Sequence, residues 1–148
     1  MKTLTITIGL FLVSMGVLGQ EPADAITRLQ NTTSLRCQFG PGTGADWESG
    51  KLNVEEDNWG SEPSYFDSID VQAKTARLIG NAGSAGILVM ITATGMHFIE
   101  VTPVGNLNVT TVFGSLDQSG NFLAVTSRHV DLFGPVPSQY YGTCEPWQ

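Results

Sequence analysis

The side chains that could do chemistry in this protein of 148 residues are few and scattered. Its two histidines are His97 and His129; Glu100 follows the first by three positions and Arg128 precedes the second. Catalysis by nucleophile, base and orienting group needs those groups within hydrogen-bond reach of one another. No spacing here assembles such a set. Both histidines fall in strand-like stretches, where a histidine more often has a structural role. Glu100 shares a strand face with Met96 and Phe98; Arg128 shares one with Phe122, Ala124, Thr126 and Val130. If those faces point inward, both charges are buried and must pair, because an isolated buried charge is very costly. If they point outward, both are ordinary surface charges near strand ends. Glu100, Arg128 and His129 are therefore the candidate polar cluster.

Two familiar motifs are approached and missed. Gly42 to Lys51, GTGADWESGK, lacks the phosphate-loop pattern: Ala45 stands where the first glycine belongs and Leu52 replaces the Ser or Thr that reaches magnesium. Ala82 to Gly86, AGSAG, would make Ser84 a nucleophile on a strand-to-helix turn. Ala82 replaces the required glycine, and the context is strand to strand. The run Glu55-Glu56-Asp57 fails as an EF-hand loop, since the twelfth position is Phe66 rather than Glu. It reads as a solvated acidic loop with no metal. Asn31-Thr32-Thr33 and Asn108-Val109-Thr110 fit the glycosylation sequon, which matters in a eukaryotic host. No cofactor is implied.

The elements that must carry these residues are short. Runs of Val, Ile, Thr and Phe alternate with turn residues, and no long helical period appears. That is the signature of strands, expected near 34–39, 51–54, 65–71, 75–80, 86–94, 96–102, 107–113 and 121–130. A brief helical turn is expected just before the first strand, and Gly40-Pro41-Gly42-Thr43-Gly44 reads as a flexible loop. Short Gly-, Asn- and Pro-bearing connections favour an antiparallel meander. The expected fold is all-β: about eight strands closed as a small barrel, which removes exposed edges, with a β-sandwich as the alternative.

The sequence opens MKTLTITIGLFLVSMGVLG, one lysine followed by an apolar run. That is a charged n-region and an h-region, too short to span a bilayer comfortably. Ala23-Asp24-Ala25 and Val17-Leu18-Gly19 are both small-residue cleavage patterns. Cleavage after Ala25 is the preferred reading, giving a leader over 1–25 and one domain over 26–148, secreted or periplasmic. In an oxidising compartment the only two cysteines, Cys37 and Cys144, form a disulfide. Seven Lys and Arg stand against fourteen Asp and Glu, for a net charge of −7. An acidic, cation-poor surface argues against nucleic acid, and against a membrane once the leader is removed.

The segments HFIEVTPVGNLNVTTVFG and AVTSRHVDLFGPVPSQYYGTCEPW resemble those of short secreted β-domain proteins, mostly bacterial. That resemblance implies no activity or ligand. The barrel is similar in outline to lipocalin-like and avidin-like folds, although the lipocalin Gly-x-Trp is not matched by Gly44-Ala45-Asp46-Trp47. Outline alone carries no function.

The functional expectation is a non-enzymatic binding domain for a small molecule or a protein. Trp47, Trp59, Tyr65 and Phe66, in or beside the early loops, would rim its mouth. A structural or inhibitory protein-interaction module is the alternative, and a hydrolase without a recognisable motif is a second. Arg128 and the segment after Phe133 are expected to act as a clamp: Arg128 holds the returning tail or pairs with Glu100, and Tyr140 and Tyr141 pack on the barrel surface. Because the acidic loop lacks metal-ligand spacing, adding a chelator should leave the melting temperature unchanged; a sharp fall would overturn that reading.

Overall fold

The structure, a computed structural model, describes residues 22–80 and 83–148. Residues 1–21 of the expected leader, and residues 81 and 82 of one expected turn, lie outside them. The order is α1 (Pro22–Gln30), β1 (Leu35–Glu48), β2 (Lys51–Asn58), β3 (Ser64–Asp70), β4 (Thr75–Gly80), β5 (Gly83–Ile91), β6 (Gly95–Val101), β7 (Leu107–Leu116), β8 (Phe122–His129) and β9 (Ser138–Pro146). All pairings are antiparallel, and β1 returns to pair with β9. β1 and β3–β9 thus close an eight-stranded barrel, to which β2 adds a ninth strand.

The acidic run Glu55-Glu56-Asp57, read from sequence as a loop, is strand within β2, paired with Gly42 to Gly44 of β1. Two further segments differ from the sequence reading. The glycine-rich stretch 40–44 is strand, inside β1, with a bulge between Phe39 and Gly42. The C-terminal segment is no strap over the outside: β9 is a full member of the barrel, with Tyr140 buried and Tyr141 exposed. Both differences have one cause. A Cβ on Gly42 would sit 2.1 Å from the Gln139 carbonyl oxygen, and one on Gly142 would sit 2.0 Å from that of Gln38. The glycines are there for close backbone approach across the β1–β9 seam, not for flexibility. Cys37 and Cys144 are cross-strand partners on this seam and are disulfide-bonded, with Cα atoms 4.0 Å apart.

Alternation fills the interior. Leu35, Cys37 and Phe39 of β1 point in, as do Ile87 and Val89 of β5, Met96 and Phe98 of β6, and Phe122 and Ala124 of β8. Phe66 stacks on Phe98 with ring centroids 4.1 Å apart. An eight-stranded barrel is just wide enough for such side chains to fill. One end is covered by α1, which packs on β7 and β6 and contributes Ala25 and Leu29 to the core. Here Arg28 lies over the Phe122 ring at 4.4 Å and donates to the Gly120 carbonyl at 2.6 Å. The opposite end carries the connections 102–106 and 130–137, and the β1–β2 hairpin projects there around a tight Ser49-Gly50 turn. Both turn residues have positive φ (51° and 78°), as a two-residue hairpin of the twisted kind requires.

The disulfide spans 107 residues of sequence. Replacing Cys144 with Ser is expected to cost about 4–5 kcal/mol in the chain-entropy picture, measured by urea unfolding of oxidised protein. Gly142→Ala is expected to destabilise even with the disulfide intact, since the backbone it meets cannot move aside; parent-like unfolding would refute the seam argument.

Candidate functional site

At the open end the interior faces change from apolar to polar. Along β8 the inward residues run Phe122, Ala124, Thr126, Arg128; along β6 they run Met96, Phe98, Glu100. Thr110 and Thr126 face each other in register and share a 2.9 Å hydrogen bond. Asn108 and Arg128 are the next register pair toward the opening. Glu100 and Arg128 therefore do share the barrel interior, half-buried near the mouth. They do not pair: Glu100 accepts from the Asn108 side-chain amide at 2.5 Å, and among the described residues no ion pair joins it to Arg128.

Arg128 instead lies over the Trp59 ring at 5.6 Å. Trp59 packs edge-on against Tyr140 at 5.2 Å and Phe39 at 5.6 Å. Across the β1–β2 ladder Asp57 is opposite Gly42, which has no side chain to fill the space. Tyr140 occupies it and donates from its hydroxyl to Asp57 Oδ2 at 2.6 Å. The result is a latch: Asp57 and Trp59, at the end of β2 and just beyond it, are held by Tyr140 of β9 and Arg128 of β8. It ties the hairpin to the barrel, so the part that Arg128 secures is the hairpin and not the tail expected from sequence.

The electrostatics fit holding rather than reacting. The Tyr140 hydroxyl, then the Asn58 backbone N–H and the Arg128 charge, hold the Asp57 carboxyl below the ordinary carboxylate range. Burial first, and the Asp57 hydrogen bond second, push the Tyr140 phenol above its ordinary value. Both shifts move away from neutrality, so neither group is poised as a general acid or base near pH 7.

His129 points the other way. It lines two shallow, open depressions of about 210 and 230 Å³ on the outer surface of this end. The first also involves Thr43, Ala45, Ser127 and Gln139; the second joins Gly105 and Asn106 to Asp131 and Pro135. The expected polar cluster is thus divided, with Glu100 and Arg128 inside and His129 outside. His97 lies on the outer face, half-buried between the Thr92 hydroxyl at 3.4 Å and that of Thr111 at 3.0 Å. Among the described residues no group of three His, Cys, Asp or Glu side chains is placed to hold a metal.

The expected aromatic rim is not assembled. Phe66 is buried in the core, so it lines no mouth. Tyr65 packs on Trp147 at 4.9 Å, on the part of β3 that pairs with the start of β1. Trp47 is exposed on the hairpin opposite Leu52, and only Trp59 belongs to the open end's interior cluster. Of the two sequons, Asn31 is exposed, while Asn108 is committed to Glu100 inside the mouth.

What sequence reasoning missed is an apolar rim. Val101 and Val104 sit in or beside the β6–β7 connection, and Leu132 and Phe133 at the tip of the β8–β9 connection; all are exposed, Phe133 completely. The two loops are joined by the Asp131 N–H donating to Asn106 Oδ1 at 3.2 Å. The signal was present as Leu132-Phe133 between Asp131 and Gly134, two large apolar residues in a turn-forming stretch with no strand alternation.

Comparison with family models, curated proteins and solved structures finds no match for this protein, and among its described residues no helix is long and apolar enough to cross a membrane. The functional reading therefore rests on the geometry of an eight-stranded antiparallel barrel with one helix-covered end.

The latch has a pH window. Asp57 is lowered, so its contribution is complete above the ordinary carboxylate range and lost as pH falls through its lowered value. Tyr140 is raised, so its contribution is complete below the ordinary phenol range and lost as pH rises through its raised value. Amide protection in β2, corrected for intrinsic exchange, should hold constant between these limits and fall outside them. Tyr140→Phe should lower β2 protection throughout the window while the barrel amides stay protected; unchanged β2 protection would refute the latch.

Proposed function

We propose that this protein is an exported, non-enzymatic binding domain that recognises a protein partner through the outer rim of its open end. The observation that carries this reading is the exposed apolar group Val101, Val104, Leu132 and Phe133, set on two adjoining loops beside the His129 depressions. Large apolar side chains left exposed on two loops that are hydrogen-bonded to each other point to an interaction site. Loops 102–106 and 130–137 carry one charged residue, Asp131, which suits a protein surface better than a phosphate-bearing one. The disulfide is compatible with export to an oxidising compartment. Kinship with short secreted β-domain proteins is part of the same proposal and rests on the segment resemblance alone. A small molecule is the second reading, but the core is occupied by Phe39, Phe66, Phe98 and Phe122, and the depressions named above lie outside it.

A photo-reactive phenylalanine placed at Phe133 in the exporting host is expected to give a covalent adduct of higher mass. The same group at Gln118, in the exposed turn of the helix-covered end, is not. The Leu132→Ser, Phe133→Ser double variant should melt like the parent, since both side chains are already in water, and should lose the adduct partner. Equal adducts from both positions, or a small molecule retained in native mass spectra, would reject the reading.

A further inference from the structure

We infer that two copies of this protein pair edge to edge through β2, in the antiparallel register that sets Asn53 opposite Asn53. β2 has β1 on one side and, among the described residues, no strand on the other. All eight of its residues are exposed. One face of the β1–β2 hairpin is apolar. Trp47 pairs with Leu52 and Ala45 with Val54, and Trp47, Leu52 and Val54 are 47%, 51% and 58% exposed. A lone two-stranded ribbon is marginal in water, and further strands sharing an apolar face make it stable. A long, exposed edge strand without proline offers its backbone to another chain.

Alternation shows which backbone groups are on offer. The ladder to β1 continues as far as Trp59, whose N–H donates to the Gly40 carbonyl at 2.9 Å. The Ala45 N–H is turned away from β2 and donates to the Pro137 carbonyl at 2.9 Å. The odd-numbered residues of β2 therefore bond to β1. Leu52, Val54 and Glu56 direct their N–H and C=O groups to the free edge.

The order of side chains along β2 selects a second copy as the occupant of that edge. Residues paired across a ladder share a face, so a two-fold pairing of β2 with itself shifts only in steps of two. With Asn53 opposite Asn53, Leu52 meets the partner's Val54, and Val54 meets the partner's Leu52. These residues carry the outward backbone groups, and each such pair exchanges both N–H···O bonds. On the other face Lys51 meets the partner's Glu55 and Glu55 meets the partner's Lys51, an opposite-charge cross-strand pair made twice. Asn53 donates from its side-chain amide to Glu55 at 3.0 Å within one copy, which sets that carboxylate on the same face. The neighbouring registers lose the match. One step one way puts Leu52 against Glu56. One step the other way puts Val54 against Gly50 of the turn and Lys51 against Asn53. Only the first register joins apolar to apolar and cation to anion at every pair from Lys51 to Glu55. The product is a four-stranded sheet with Trp47, Leu52 and Val54 of both copies side by side on one face.

Sedimentation of the oxidised protein over a range of concentrations tests the pairing. The interface is short, so the dimer is expected to be weak and concentration-dependent. A monomer at every concentration up to the millimolar range overturns the inference. Val54→Pro removes an N–H from the free edge and none from the β1 ladder, so it should melt like the parent and stay monomeric. A dimer that survives this change uses another surface and overturns the inference as well. The register has its own test. Lys51→Glu sets acid against acid and Glu55→Lys sets base against base, so each variant alone should lose the dimer. Mixed in equal amounts, the two restore both opposite-charge pairs and should sediment as a heterodimer. Single variants that dimerise like the parent, or a mixture that stays monomeric, would overturn the assignment.

Discussion

The whole architecture depends on the β1–β9 seam. Every other neighbouring pair in the barrel joins strands consecutive in sequence, apart from β1–β3, which skips only the β2 hairpin. Closing β1 on β9 brings together residues 107 apart, and only that closure converts a meander with two unpaired edges into a barrel with none. Two devices secure it. The disulfide limits how far the ends can separate in the unfolded state. Gly42 and Gly142 let the two backbones approach where any side chain would collide. A covalent staple without the glycines would hold the ends near each other but not in register.

The latch follows from the seam rather than being added to it. Past the bulge between Phe39 and Gly42, β1 stays paired with β9 through Gly44 but has β2 in place of β3 on its other side, and its last residues carry the hairpin beyond the barrel. The bare backbone at Gly42 that admits β9 also leaves room for the Tyr140 ring, and Tyr140 then meets Asp57 across that gap. A two-stranded hairpin is marginal by itself in water, and all eight residues of β2 are exposed. Its order therefore comes from the contacts at its base: Asp57 on Tyr140, and Trp59 between Arg128, Tyr140 and Phe39.

Much of this was legible because strand alternation is a local property. Spacing puts Glu100 on the face of Phe98 and Arg128 on the face of Thr126, though the structure was needed to show that both faces point inward, and the disulfide follows from having two cysteines. The failures share a cause: glycine, proline and tyrosine mean different things locally and across the fold. Gly40 to Gly44 has the composition of a loop, and only the presence of β9 makes it a strand. Ser138 to Pro146 follows Pro135 and Pro137, so it reads as a tail until β1 and β8 supply its partners on both sides. The Asp57–Tyr140 bond joins residues 83 apart, and no periodicity announces it. Tyr65 and Phe66 both lie close to the acidic loop, which suggests a shared rim, yet adjacent strand residues must face opposite ways. One therefore reaches the core and the other the outside.

The distribution of polarity along the barrel axis also decides where binding free energy can come from. At the helix-covered end the interior is apolar and shut by Ala25 and Leu29. At the open end the Asn108 amide nitrogen is engaged with Glu100 and Tyr140 with Asp57, while the buried Asn108 Oδ1 has no hydrogen-bond partner among the described residues. A ligand that displaces either of those two bonds exchanges one hydrogen bond for another, which yields little net. The side chains still in contact with water are different. Each fully buried Leu, Val or Phe contributes roughly 1.5–3 kcal/mol, and Val101, Val104, Leu132 and Phe133 have yet to make that contribution. They sit on loops tied to each other by the Asp131–Asn106 bond, so part of the ordering cost of docking is already met within the folded domain. On this balance the proposed binding reading makes the barrel a rigid mount and the rim the part that would recognise a partner.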